Sequence, residues 1–263
     1  MFRFPEKHKV EYEGETIEYV VAGDGPGTIV LVNGSGGPIE GWHKVFNELA
    51  GVARVFAYNR PGVGGSAKPR KPQTGSHMIA LLRAALAAAG CRQPYVLVGH
   101  SFGGLIVNLF ARRHPSDVAA VVMLEATSVD DVDLLPAHET RLQRFVAKLA
   151  NRLFPLDPNT ETMHAGATVS EIRAAPPFPP IPLTVVTGGK PAMTWATSAD
   201  AMAARRLHQR ELTSLTPLGR QVLAMKSGHF PQFSEPDMVI AVVKEAMSTS
   251  GSAPGRTGIT HSS

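Results

Sequence analysis

The tightest constraint on how this chain folds lies between residues 95 and 113, where three patterns adjoin. An apolar run, Tyr95-Val96-Leu97-Val98, leads into Gly99-His100-Ser101-Phe102-Gly103, and an apolar series at helical spacing follows from Leu105 to Arg113. A short continuous apolar run suits a strand buried on both faces, and the later spacing suits a helix. The five residues between must turn a strand sharply into a helix. Such a turn strains its central residue, which neighbours without side chains tolerate. Ser101 stands at that point, its hydroxyl above the end of a sheet. A base can approach it from one side, and helix-start N–H groups face any oxyanion formed there.

The alternation of strand and helix extends along most of the chain. Val10 to Tyr12 and Thr16 to Ala22 flank Glu13-Gly14-Glu15 as an antiparallel hairpin at a sheet edge. Buried strands are predicted at Thr28 to Val32, Ala53 to Tyr58, Ala119 to Leu124 and Leu183 to Thr187, with a further strand at about 220–226. Helices are predicted at about Glu40 to Leu49, Ser76 to Ala89, 198–215 and 236–247, the second stopping at Gly90. This pattern implies an α/β fold, a mostly parallel sheet with helices on both faces. The segment 127–180 interrupts it with an acidic loop, Asp130-Asp131-Val132-Asp133, and an amphipathic helix at about Pro136 to Phe154. It reads as a small helical cap inserted into a core formed by residues 1–126 and 181–247. The Ser/Gly/Thr-rich tail, 248–263, is expected to be disordered.

Composition narrows the function. With 263 residues, 43% hydrophobic and 18% charged, the chain can bury a sizeable core in one domain. Its single cysteine, Cys91, offers neither an intrachain disulfide nor a metal-ligand cluster. The net charge of +4 is spread out, and the basic clusters at Lys68 to Lys71 and Arg205-Arg206 lack interleaved aromatics, so they read as solvated surface and not as a nucleic-acid footprint. No apolar run reaches the roughly 18 residues of a membrane span, and the start of the chain lacks the apolar core of a signal peptide. The expected location is cytoplasmic. No dinucleotide or phosphate-binding glycine fingerprint is present.

The order of the turns resembles that of the α/β-hydrolase superfamily in its serine-nucleophile branch. Asn33-Gly34-Ser35-Gly36 follows an early strand, Arg60-Pro61-Gly62-Val63-Gly64-Gly65-Ser66 follows the next, then come the Gly99 to Gly103 elbow and Ser227-Gly228-His229-Phe230-Pro231. The resemblance covers about residues 10 to 247 and implies a serine hydrolase that needs no metal or organic cofactor. Ser101 would be the nucleophile. His229, in a turn after the last strand, would be its base, in the chain order Ser, acid, His that this fold uses. The usual acid position after Leu183 to Thr187 holds Gly188 to Trp195, without a carboxylate. Some members place the acid after the preceding strand, where this chain has Glu125; Asp130, Asp131 and Asp200 are the rivals. By position, the oxyanion hole would use the N–H groups of Ser35 and Phe102.

Asn33 and Asn59 stand where many members have histidine and aspartate, which affects pocket shape and not the catalytic groups. Trp42, Trp195, Phe230 and Phe145 are candidate pocket residues. The expected substrate is a carboxylic ester, thioester or lactone of a small-to-medium apolar molecule. The same groups also serve C–C bond hydrolysis, acyl transfer, perhydrolysis or a lyase reaction. Fold does not fix function, so a catalytically silent ligand-binding protein is a further alternative.

Overall fold

The computed structural model describes residues 4–138, 157–190 and 199–250. Eight strands form one sheet: β1 (His8–Tyr12), β2 (Glu15–Ala22), β3 (Thr28–Val32), β4 (Arg54–Asn59), β5 (Tyr95–His100), β6 (Val118–Leu124), β7 (Leu183–Gly188) and β8 (Gly219–Ala224). Their order across the sheet is β1-β2-β4-β3-β5-β6-β7-β8. The β1–β2 hairpin lies at one edge and β2 runs antiparallel to β4. All remaining pairings are parallel. The sheet is therefore mostly parallel, as the alternation of apolar runs and helical stripes requires.

Side chains alternate across a strand, so one apolar run feeds two cores. Val30, Val32, Leu97, Val121 and Met123 point to one face, where Leu82 of α2 (Gly75–Ala88) and Leu105 and Leu109 of α3 (Gly103–Arg113) cover them. Ile29, Leu31, Val96, Val98 and Val122 point to the other, against Phe46 and Leu49 of α1 (Phe46–Ala50) and Val239 and Val243 near the chain's end. Every residue of β3 and β5 is buried. These central strands consequently fix the loops at their carboxyl ends.

Two local expectations are corrected. The helix foreseen at Glu40 to Leu49 is a 3-10 turn, Ile39–Trp42, followed by the short α1. Two buried amides redirect the chain there: Asn33 Nδ2 donates to the Pro38 carbonyl at 2.6 Å, and Asn59 Oδ1 accepts the Ile39 N–H at 2.8 Å. The acidic stretch after Glu125 is the first turn of a helix, α4 (Val129–His138), and not a loop. Ser128 Oγ accepts the Asp131 N–H at 3.0 Å while Asp131 Oδ2 accepts the Ser128 N–H at 2.8 Å, a reciprocal pair that nucleates a helix start. Most of the amphipathic helix foreseen at Pro136 to Phe154 lies outside the described residues, as does the tail from residue 251. Within residues 127–180, α5 (Ala165–Ala174) buries Thr168, Val169 and Ile172 against α2 and α3.

Candidate active site

Ser101 has φ of +50°, the strained left-handed conformation that its setting between β5 and α3 demands. The glycines two residues either side make the bend possible. A Cβ on Gly99 would stand 2.7 Å from the Gly103 carbonyl oxygen, and one on Gly103 would overlap the Val32 carbonyl oxygen. The turn is also tied to the neighbouring strand. The Ser101 N–H donates to Leu124 O at 3.1 Å, and Ser101 O accepts N–H groups from Gly104 and Thr127, each at 2.9 Å.

His229 follows β8, and its Nε2 lies 3.1 Å from Ser101 Oγ. Beneath it, His100 is buried and its Nε2 donates to the His229 carbonyl at 2.8 Å. Burial drives His100 down to about 4, so this ring is neutral near pH 7 and serves as a fixed support.

Glu125 is the second non-glycine residue at this sheet edge with positive φ, +44°, one residue past β6. Its carboxylate is buried, with Oε1 accepting the Gly188 N–H at 2.6 Å and Oε2 accepting Arg205 Nε at 2.9 Å. Arg205 Nη2 also donates to the Glu125 carbonyl at 2.8 Å. His229 Nδ1 stands 3.7 Å from Glu125 Oε2, within ion-pair range and longer than a hydrogen bond. Burial alone would raise the Glu125 carboxyl; His229, the Arg205 guanidinium and the Gly188 N–H outweigh it and hold the group below the usual carboxylate value. Two of the rival acids are engaged elsewhere. Asp131 accepts His208 Nδ1 at 2.7 Å, and Asp130 lies 3.9 Å from Arg173. Asp200 falls in the first turn of α6 (Ala199–Leu212).

The Gly-rich turn after β3 packs against the elbow so closely that a Cβ on Gly34 would stand 3.0 Å from Ser101 Cβ. A buried ion pair sets its shape. Arg60 Nη1 donates to Asn33 O at 2.8 Å and Nη2 to Gly34 O at 2.5 Å, while Nε and Nη2 bond Glu161, whose Oε1 also accepts the Gly36 N–H at 2.9 Å. Arg60 lies 5.9 Å over the Phe102 ring. The N–H groups of Ser35 and Phe102 donate to no described residue.

A pocket of about 220 Å³ opens beside Ser101, between Asn33 to Pro38 on one side and His229, Phe230 and Phe233 on the other. Phe230 lines it and is 48% exposed. Trp42 does not: it is fully buried in the core under the sheet, with Phe46 and Leu49, because the 3-10 turn directs its ring inward. Trp195 and Phe145 lie outside the described residues. Among those described, no three His, Cys, Asp or Glu side chains cluster as metal ligands, and no helix is long and apolar enough to cross a membrane.

The sequence reading missed three participants. Arg205 had been grouped with Arg206 as solvated surface, whereas its guanidinium lies on Glu125. Glu161 pairs with an arginine 101 residues away, a separation that leaves no local signal. Gln232 lines the pocket from the turn after His229.

The profile of a family described as having the alpha/beta hydrolase fold matches residues 27–178. The chain belongs to the alpha/beta hydrolase fold family. Within curated proteins, it is 39% identical over 111 residues to an uncharacterised Schizosaccharomyces pombe protein, C23C11.06c, a match that covers 42% of this chain and 20% of that protein. It is 32% identical over 98 residues to the uncharacterised Bacillus subtilis protein YqjL, covering 37% of this chain and 39% of YqjL. The matches thus span well under half the length of these relatives. Among solved structures, the enol-lactonase from Burkholderia xenovorans LB400 superimposes with a TM-score of 0.64 at 18% identity, covering 92% of this chain and all (100%) of that one. At that identity the likeness is one of fold.

Proposed function

We propose that the protein is a serine hydrolase that cleaves a carboxylic ester, thioester or lactone through an acyl-enzyme on Ser101. The 3.1 Å approach of His229 Nε2 to Ser101 Oγ, on a serine strained at φ +50°, carries this reading. A serine hydroxyl is nearly un-ionised at neutral pH and needs such a base. In the productive tautomer His229 carries its proton on Nδ1, facing Glu125, and Nε2 accepts the Ser101 proton as Oγ attacks the carbonyl carbon. The 3.7 Å from Nδ1 to Glu125 Oε2 must shorten as the reacting complex forms, a common behaviour of catalytic hydrogen bonds. Arg205 holds the carboxylate ionised and limits its rotation.

Negative charge then develops on the carbonyl oxygen. The unengaged N–H groups of Ser35 and Phe102, the latter at the start of α3, are the donors that meet it. The protonated His229 passes its proton to the departing alcohol or thiol. It next takes a proton from water, which attacks the acyl carbon, and returns that proton to Ser101 Oγ as the acyl–oxygen bond breaks and the acid leaves. Phe230 and Phe233 line the pocket, which suits an apolar substrate body. A panel of acyl esters graded by chain length, with a lactone and an amide included, tests the reading: turnover of at least one ester that vanishes in Ser101→Ala supports it. Binding without turnover across the panel favours a silent ligand-binding protein instead.

A further inference from the structure

Gln232 sits three residues after His229 in the short helical turn α7 (Pro231–Ser234). The residue is 2% exposed, and neither its Oε1, which is fully buried, nor its Nε2 makes a hydrogen bond to any described residue. Glutamine is seldom buried without partners, since an unpaired buried amide weakens the fold. Residues facing an apolar wall are ordinarily leucine or phenylalanine, as Phe230 and Phe233 are on either side. An unpaired amide retained beside a nucleophile is the kind of local cost that functional sites carry.

A second amide faces the same pocket. Asn33 Nδ2 is committed to the Pro38 carbonyl at 2.6 Å, which fixes the amide's orientation and leaves Oδ1 with no hydrogen bond to a described residue. Among the described residues, the pocket wall therefore carries one free acceptor, Asn33 Oδ1, and one free donor, Gln232 Nε2. At about 220 Å³, the pocket is also smaller than the roughly 300–1,000 Å³ typical of ligand clefts, so only a compact group fits.

We infer that the pocket beside Ser101 takes a compact portion of the substrate that carries a hydroxyl, which donates to Asn33 Oδ1 and accepts from Gln232 Nε2. This rests on the serine-hydrolase reading and deepens it: the substrate is apolar in body and hydroxylated near the scissile carbonyl. Gln232 is then a specificity-determining residue. A site with buried polar groups rejects an analogue that cannot satisfy them, because those groups remain unpaired in the complex.

Matched esters test it. Methyl butanoate is compared with methyl 3-hydroxybutanoate and methyl 3-methoxybutanoate, placing the group on the acyl side. Propyl butanoate is compared with 3-hydroxypropyl butanoate, placing it on the alcohol side. The wild-type protein should favour the hydroxylated member of one pair by roughly 10- to 100-fold in kcat/KM, and the methoxy ester, which cannot donate, should not share the advantage. In Gln232→Leu the ratio should fall to within about threefold of unity, and the Tm should stay level or rise because an unpaired amide has been removed. Absence of any preference in a wild-type protein that a serine-reactive phosphonate labels overturns the inference, as does a preference that survives Gln232→Leu. A Gln232→Leu protein melting several degrees lower also overturns it, since Gln232 would then be structural. A wild-type protein that the phosphonate fails to label overturns the hydrolase reading beneath it.

Discussion

Removing Glu161 should damage the protein twice, in stability and in the geometry of the turn that carries Ser35. The side chains of Arg60 and Glu161 are 3% and 9% exposed, so neither has water to fall back on. In Glu161→Ala the guanidinium keeps two carbonyl acceptors, Asn33 O and Gly34 O, and loses the only counter-charge it has among the described residues, while the Gly36 N–H loses its acceptor. Breaking a buried pair from one side costs about 3–5 kcal/mol, and the orphaned N–H adds about 1 kcal/mol. A total near 5 kcal/mol corresponds to a Tm lower by roughly 10–20 °C for a domain of this size. Enough stability should remain for the variant to fold at 25 °C.

The informative comparison is Arg60→Met with Glu161→Leu, which removes both charges and leaves no stranded ion. That double variant should lose less than Glu161→Ala alone. Urea unfolding followed by circular dichroism gives the energies. The rate of phosphonate reaction with Ser101, measured below the transition, reports the turn. It should slow by about 10-fold or more in Glu161→Ala, because oxyanion donors are displaced. Stability within about 0.5 kcal/mol of wild type in Glu161→Ala, or a double variant worse than the single, would refute the claim that this pair fixes the turn.

Glu125→Gln should retain the fold and lower kcat by about 10²–10⁴-fold, since an amide cannot stabilise the imidazolium; Asp131→Asn, which touches the start of α4 and His208, should change Tm and leave the rate near wild type, and steady-state kinetics on both separates the roles. His100 gives a stability signature in pH. Its folded value is lowered to about 4 from an ordinary 6.5, so between those values the unfolded chain binds a proton that the native state refuses. Stability should therefore be complete above about pH 6.5 and fall by up to ~3 kcal/mol as pH drops to 4. Denaturant titrations across that window should show a shallower slope in His100→Gln, and an unchanged slope would contradict the assignment.

The sheet was legible because its strands obey one simple rule: where both faces are covered, as in β3 and β5, the sequence is a continuous apolar run. The elbow was equally legible, since Gly99 and Gly103 are required by backbone contacts within the same short segment. Position past a buried strand pointed to Glu125, whose backbone the sheet fixes through the Val186 carbonyl. What stayed hidden was long-range and electrostatic. An arginine on a helix face, such as Arg205, carries the same local pattern whether it meets water or a carboxylate. Glu161 meets Arg60 across 101 residues of sequence, a pairing no local pattern encodes. Trp42 was misplaced for a related reason: the side chains of Asn33 and Asn59 hold the backbone at Pro38 and Ile39, where an apparent helix becomes a 3-10 turn with the indole in the core.

The most direct test of the account is to treat the wild-type protein with a serine-reactive phosphonate and map the adduct by mass spectrometry. The account predicts a single adduct on the peptide containing Ser101, absent in Ser101→Ala and formed far more slowly in His229→Ala. An adduct on Ser35, or labelling that persists in Ser101→Ala, would contradict it.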